Sequence, residues 1–99
     1  MKFAVLFEDD PAAASARSKH MAAHLAFLEK NTGAILAAGP LKTSDGQGAG
    51  GLWLIEAVDA AQVDVLVKAD PFWPTGLRKS VRILAWTQVF AEGRRLTPG

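Results

Sequence analysis

The 99-residue chain has an apolar content of 49%, a formal net charge of +1 at neutral pH and no cysteine. This length is typical of a single domain, and the lack of cysteine excludes disulfides and thiolate chemistry. The only basic doublets, Arg78-Lys79 and Arg94-Arg95, are too few for a nucleic-acid groove. No apolar run approaches the roughly 20 residues of a membrane span, and the run after Lys2 is too short for a secretory signal. We therefore expect a cytoplasmic protein without nucleic-acid or membrane partners.

The first half of the chain predicts two strands that flank a long helix. Asp10 before Pro11 is a typical N-cap followed by proline at the first helical position. The segment that follows is rich in alanine and leucine, and Gly33 is the expected C-cap. Gly39-Pro40 is expected to stop the second strand. The predicted elements are strand 3–7, helix 11–32 and strand 34–38.

The second half predicts a glycine-rich loop and then a strand, a helix and a strand. Residues 44–51 contain four glycines, which do not follow the strand–turn–helix order of a phosphate-binding loop; a flexible linker is the simpler interpretation. Asp59 is expected to cap the helix. The predicted elements are strand 51–57, helix 60–69 and strand 80–90, with a loop over 70–76 and a polar, irregular tail over 91–99.

The order β-α-β-β-α-β predicts a ferredoxin-like α+β sandwich over residues 1–90. Two right-handed β-α-β halves interleave into one antiparallel sheet with both helices on one face. We expect the open face of the sheet to be partly apolar, through residues such as Trp53 or Trp86. Such a face, together with the high apolar content, predicts a homodimer in which two sheets stack.

His24 is the first candidate for chemistry, because the predicted helix directs it inward. Arg17, Met21, His24 and Leu28 share one sector of the helical wheel, and the two apolar residues must face the sheet. One interpretation is a packed histidine bonded to a backbone carbonyl. The other is an imidazole at the mouth of a pocket, where it exchanges protons near neutral pH.

His20 and His24 have the i, i+4 spacing of two metal ligands on one helix. However, no glutamate follows His20, as the zinc protease motif requires, and a third ligand is not evident. We therefore predict neither a metal nor a cofactor, and we place His20 at the surface or at the rim of the site.

Asp70 is the second candidate. An aspartate before proline often only ends a helix and starts a turn. The adjacent Phe72, Trp73 and Leu77 are apolar, however, and are suited to wall a pocket for a flat substrate. A carboxylate beside them is placed to orient the His24 imidazole and to hold its tautomer.

Several of these motifs occur together in a known family. Arg17 with His24-Leu25, Ala-Ala-Gly-Pro-Leu at 37–41, Asp-Pro-Phe at 70–72, Gly76-Leu77 and the strand at 81–86 resemble the YCII-related (YciI-like) family. The match runs in order over roughly residues 1–90. Each motif is weak alone, but in this order and spacing they form a strong signal.

The resemblance implies a dimeric α+β barrel of ferredoxin-like protomers, similar to muconolactone isomerases. It also implies an active site made of a histidine and an aspartate, which correspond to His24 and Asp70, and ring chemistry such as elimination or isomerisation. Trp73-Pro74-Thr75 replaces a stretch that is smaller and more polar in the family, so the identity of the substrate is not predicted. The predicted substrate-binding residues are Arg17, Gly39, Pro40, Phe72 and Trp73.

Three functions are compatible with the sequence. The first is a cofactor-free acid–base enzyme, a lyase or isomerase acting on a small hydroxylated aromatic or lactone. In this enzyme His24 would transfer the proton, and Asp70 would orient the His24 imidazole. The second is a non-catalytic protein that binds or senses a small apolar molecule. The third is a purely structural oligomer module with no cavity beside His24.

Overall fold

The fold is built on a four-stranded antiparallel sheet with the strand order β2-β3-β1-β4. The structure, a computed structural model, describes residues 1–98. Its main elements are β1 (Lys2–Asp9), α1 (Ser15–Lys30), β2 (Ile35–Lys42), β3 (Gly48–Glu56), α2 (Ala60–Ala69) and β4 (Arg78–Trp86). This order confirms the predicted ferredoxin-like α+β fold. None of the helices within residues 1–98 is long and apolar enough to cross a membrane.

The core lies between one face of the sheet and the two helices. Phe3, Val5 and Phe7 alternate with less buried residues along β1, and they are at most 4% exposed. Val63 and Val67 of α2 belong to the same buried cluster, and partly buried residues of α1 pack against it. Both helices therefore cover the same face of the sheet, as the sequence predicted.

Trp53 lies on the helix-covered face, so its predicted place on the open face is wrong. Val5 pairs with Trp53 in the β1–β3 ladder, and residues directly opposite each other in an antiparallel ladder point to the same face. Trp53 is 1% exposed as a result. Trp86 pairs with Lys2 instead, and it does lie on the open face, where it is 38% exposed.

The helix predicted over 11–32 is shorter at both ends. Asp10 caps a 3-10 turn, Pro11–Ala13, by accepting a hydrogen bond from the Ala12 backbone N–H, and the α-helix begins only at Ser15. At the other end Asn31, not Gly33, is the C-cap. The Asn31 side-chain amide donates to the Phe27 carbonyl at 2.8 Å, which satisfies one of the free carbonyls of the last turn.

Gly39-Pro40 does not stop the second strand, because β2 continues to Lys42. Since β2 is at the edge of the sheet, a proline without a backbone N–H is tolerated there. The predicted glycine-rich loop is correspondingly short, as β3 already begins at Gly48. Gly50 in β3 has φ +119°, and a Cβ there would overlap the Phe7 carbonyl, so this strand needs glycine for close backbone approach.

The last predicted strand, 80–90, is displaced towards the N-terminus: β4 begins at Arg78 and ends at Trp86. Phe90–Ala91 (β5) and Arg94–Arg95 (β6) then pair as a separate two-stranded ribbon, where the sequence predicted an irregular tail. The boundary between a domain over 1–90 and a tail over 91–99 stays a prediction. The early start of β4 matters for the site, because it places Arg78 within the sheet.

Candidate active site

The centre of the site is a direct contact between His24 and Asp70. His24 Nδ1 lies 2.8 Å from Asp70 Oδ1, and the two residues are only 7% and 2% exposed. His24 is presented by the sheet-facing side of α1. Asp70 is the C-cap of α2 and has an extended backbone, as the position before Pro71 favours. The docking of both helices on one sheet face brings the pair together.

Hydrogen bonds to Asp70 determine the tautomer of His24. Asp70 Oδ1 also accepts the Phe72 backbone N–H at 3.2 Å, and Asp70 Oδ2 lies 3.5 Å from Arg78 Nη2. An ionised carboxylate only accepts hydrogen bonds, so we assign the proton to His24 Nδ1. The lone pair is then on Nε2, which forms no hydrogen bond within residues 1–98.

Aromatic rings hold the imidazole in place. Phe72 stacks on it with a centroid distance of 4.3 Å and an interplanar angle of 25°, and the Trp53 ring lies at 6.2 Å. Phe72 is completely buried. Because the ring is stacked on one side and hydrogen-bonded at Nδ1, its rotation is restricted and Nε2 has a fixed direction.

Arg78 lies beside this pair, and sequence analysis noted it only as part of a basic doublet. Its side chain is 3% exposed, with the guanidinium carbon 4.0 Å from the Phe7 ring centroid and 5.2 Å from that of Phe72. Arg78 Nη2 approaches Asp70, and Nη1 lies 3.5 Å from Asp9 Oδ1. Burial lowers the pKa of Arg78 below its ordinary value, and the charge of Asp70 opposes this effect.

Arg17 extends the polar network from α1. Its Nε donates to Asp9 Oδ2 at 2.7 Å, and its Nη2 donates to the Gly50 carbonyl at 3.0 Å. The charged side chains therefore alternate in sign, in the order Asp70, Arg78, Asp9 and Arg17. With His24 neutral, these four charges sum to zero.

A cavity of about 80 Å³ opens between α1, the edge strand β2 and Arg78. One part of its wall is apolar, and the other part carries the polar groups Arg17, His24 and Arg78. The volume is smaller than the roughly 150 Å³ of an apolar cavity that holds benzene, so even a single aromatic ring would extend out of the mouth. The apolar and backbone part of the wall consists of Met21, Leu25, Leu28, Ala38, Gly39, Pro40, Gly51 and Trp53.

The predicted site residues fall into two groups. Arg17, Gly39 and Pro40 line the cavity next to His24. In the β2–β3 register Ala38 pairs with Trp53 and Pro40 pairs with Gly51. These two pairs therefore share the helix-covered face of the sheet. Phe72 instead lies behind the His24 ring, and Trp73 packs against the main core. Neither of these two is among the residues that line the cavity, so their contact with a substrate stays a prediction.

His20 is partly buried on another side of α1, where it lines a groove with Pro71 and Pro74. It therefore does not share the cavity with His24. Within residues 1–98 there is no group of three or more His, Cys, Asp or Glu side chains arranged to hold a metal ion.

Comparison with known protein families shows that residues 1–87 match the YCII-related domain. The chain belongs to the YCII-related family. It is also similar in structure to 5-chloro-2-hydroxyhydroquinone dehydrochlorinase from Burkholderia phenoliruptrix AC1100, solved in complex with 2,5-dihydroxybenzoquinone. The TM-score is 0.77 at 30% sequence identity, and the match covers 88% of this chain and 94% of the dehydrochlorinase. No curated protein matches the sequence.

For this YCII-related protein, sequence reasoning named His24 and Asp70 but missed Arg78 and Asp9. The only sequence signal for Arg78 is its position directly after the loop that carries Asp70, and many surface arginines have such a position. Asp9 is one of three consecutive acidic residues, Glu8-Asp9-Asp10, and nothing in that run distinguishes it from its neighbours. The burial of Arg78 and Asp9 depends on β1 and β4 being neighbours in the sheet.

Proposed function

We propose that this YCII-related protein is a cofactor-free acid–base enzyme of the lyase class that acts on a small hydroxylated aromatic ring. The observation that carries the proposal is the contact between His24 Nδ1 and Asp70 Oδ1 at 2.8 Å, in a histidine that lines a cavity. This contact leaves Nε2 as the proton acceptor. A well-placed general acid–base group contributes about 10²–10⁴ in rate.

The proposed reaction is the loss of HX from a ring with two hydroxyl groups para to each other and a leaving group X next to one of them. A proton first moves from the hydroxyl beside X to the carbon that carries X, which converts this hydroxyl into a carbonyl. The second hydroxyl then loses its proton, its electron pair forms the other carbonyl, the ring double bond shifts, and X leaves as an anion. The products are a quinone, X⁻ and one proton, so no oxidant is consumed.

His24 serves both proton transfers in this scheme. Its Nε2 takes the proton from the first hydroxyl and delivers it to the ring carbon, and it then takes the proton of the second hydroxyl. The imidazolium that forms each time is stabilised by the Asp70 carboxylate on Nδ1. The Phe72 N–H and the Arg78 guanidinium also contact the Asp70 carboxylate and hold it in place.

Elimination is favoured over isomerisation by the structural neighbour. The dehydrochlorinase acts on a chlorinated hydroxyhydroquinone, and its complex contains a dihydroxybenzoquinone. This chain shares its fold at 30% identity. The cavity is partly apolar and carries polar groups at its wall, as ligand sites do, and a single ring of this kind would enter it in part and extend from its mouth.

The decisive experiment is an anaerobic assay with 5-chloro-2-hydroxyhydroquinone, in which chloride release and quinone absorbance are followed together. We expect the wild-type protein to release one chloride for each quinone, and His24→Gln to be slower by about 10²–10⁴. A parallel reaction with unchlorinated hydroxyhydroquinone is the control. Any quinone absorbance in that reaction comes from oxidation by residual oxygen. Ring binding without chloride release above the buffer rate would instead favour a non-catalytic small-molecule-binding protein.

We also propose that the protein is a homodimer and acts in the cytoplasm. The open face of the sheet carries Leu84 and Trp86, which are 39% and 38% exposed, next to the half-buried Leu52 and Leu54. These residues form an apolar surface on the side opposite the helices. A second copy of the chain that stacks its own sheet on this surface would remove it from water.

A further inference from the structure

Arg78 has hydrogen-bond donors that the protein itself does not use. Its side chain is only 3% exposed. The buried Nε and Nη1 atoms form no hydrogen bond within residues 1–98. Asp9 Oδ1 lies 3.5 Å from Nη1, but it too forms no hydrogen bond. Buried donors without acceptors are rare in folded proteins, and each requires an explanation.

Arg78 lies at the wall of the cavity. Arg78 and Gly51 both line it, and a Cβ placed on Gly51 would lie 3.3 Å from Arg78 Nη1 and 3.8 Å from Arg17 Nη2. Two guanidinium groups therefore converge on the space that the missing side chain of Gly51 leaves open. A planar guanidinium is well suited to bind an anionic oxygen.

His24 and Arg78 are close enough to act on one small ligand. They approach the two different oxygens of the same Asp70 carboxylate, and both pack against the Phe72 ring. Transfer of a proton from a ring hydroxyl to His24 creates an anionic oxygen and an imidazolium together. Asp70 then stabilises the imidazolium, and the positive charge of the Arg78 guanidinium at the cavity wall stabilises the anionic oxygen.

We propose that Arg78, with Arg17 beside it, binds an ionised ring oxygen of the ligand, so that the cavity selects phenols and hydroxyquinones that ionise readily over neutral rings and lactones. Arg78 is in this view a substrate-binding residue. The proposal rests on the proposed function for the choice of a hydroxylated ring, but anion binding does not require turnover.

The test uses 2,5-dihydroxybenzoquinone as an anionic probe and hydroquinone as a neutral probe of similar ring size. Affinities are measured by calorimetry on the full-length protein. We expect the anionic probe to bind more tightly by about 10–100-fold, the range for a hydrogen bond to a charged group. Equal affinity for the two probes overturns the proposal.

Variants then identify the residue responsible. Arg78→Lys keeps the charge but loses the planar fork, so we expect most of the preference for the anionic probe to be lost. Gly51→Ala fills the space between the two guanidiniums and tests the same site without removing a buried charge. Its matched control is Gly48→Ala in the same strand, where a Cβ meets nothing within 4 Å and the preference is expected to remain.

The pH dependence of binding separates this role from a purely structural one. In the wild-type protein, affinity for the probe should rise with pH through the pKa of the probe's own hydroxyl and then level off, and in Arg78→Lys this rise should be much smaller. Folded Arg78→Lys and Gly51→Ala proteins that both keep the full preference overturn the proposal. His24→Gln should retain anion binding, so a wild-type protein that prefers the anion but shows no turnover contradicts the proposed function alone.

Discussion

His24 and Asp70 are 46 positions apart in the sequence, yet their side chains are joined by a 2.8 Å hydrogen bond. The contact links the middle of α1 to the end of α2, so it forms only when both helices have docked on the sheet. The geometry of the proposed catalytic pair is therefore a consequence of core packing. Substitutions that disturb this packing should affect activity as well as stability.

Replacement of Asp70 by asparagine tests the carboxylate. Asp70→Asn removes the charge that fixes the His24 tautomer and that faces Arg78, so we expect turnover to fall by about 10²–10⁴. Loss of one partner of a buried ion pair should also lower the free energy of unfolding by about 3–5 kcal/mol. Chloride-release kinetics and urea unfolding measure the two effects.

The matched control for this variant is Asp64→Asn. Asp64 forms an exposed i, i+4 ion pair with Lys68 at 2.9 Å, and such pairs contribute about 0.3–0.5 kcal/mol. Turnover of the control should equal that of the wild-type protein. Equal turnover of Asp70→Asn and Asp64→Asn would show that the Asp70 carboxylate does not take part in the reaction.

His20 provides the control for the catalytic histidine. His24→Ala should abolish most of the turnover, because no other imidazole lines the cavity. His20→Ala should leave turnover unchanged, because His20 lies in a different groove. If both variants lost activity equally, a joint role of the two histidines, such as metal binding, would replace the present proposal; added chelator would then inhibit the wild-type enzyme.

Replacement of Phe72 distinguishes an action through the His24 imidazole from the substrate contact predicted from the sequence. Phe72→Leu keeps the site apolar but removes the ring that stacks on the imidazole at 4.3 Å, so kcat should fall while KM stays nearly constant. Phe72→Ala should lower the free energy of unfolding by about 3–5 kcal/mol. A rise in KM at constant kcat would instead show that Phe72 contacts the substrate. Phe90→Leu is the control, since Phe90 is 60% exposed.

Gly50 is expected to be essential for the sheet. Gly50→Ala would force a residue with a side chain into φ +119° and push a Cβ into the Phe7 carbonyl. The backbone conformation alone costs of order 1–3 kcal/mol, and the overlap adds to this cost. Urea unfolding should show a large loss of stability for Gly50→Ala. The Gly48→Ala protein should unfold like the wild type, and a Gly50→Ala protein of similar stability would contradict the close approach of β1 and β3.

The proposed homodimer is tested by a charge on the open sheet face. Light scattering should give twice the chain mass for the wild-type protein at micromolar concentration, and the monomer mass for Leu84→Glu, because stacking would bury the new carboxylate. Val65→Glu is the control, since Val65 is 68% exposed on α2, which covers the other face. A wild-type monomer would contradict the proposal.

Features encoded within a few residues were predictable from the sequence. The helix 60–69 was predicted with its observed bounds, because Asp59 accepts a hydrogen bond from the Gln62 N–H and such caps are local. The inward direction of His24 followed from the helical period. The continuation of β2 through Pro40 was not predictable, since it depends on β2 being an edge strand.

The sequence by itself determined the order of the elements and which helix face carries His24, because periodicity and caps act over one or two turns. Only the tertiary structure decided that Asp70 bonds to His24, that Trp53 faces the helices, and that Arg78 is buried beside the cavity. These features depend on strand register and on helix docking. Both arise from contacts between residues far apart in the chain, which no local pattern encodes.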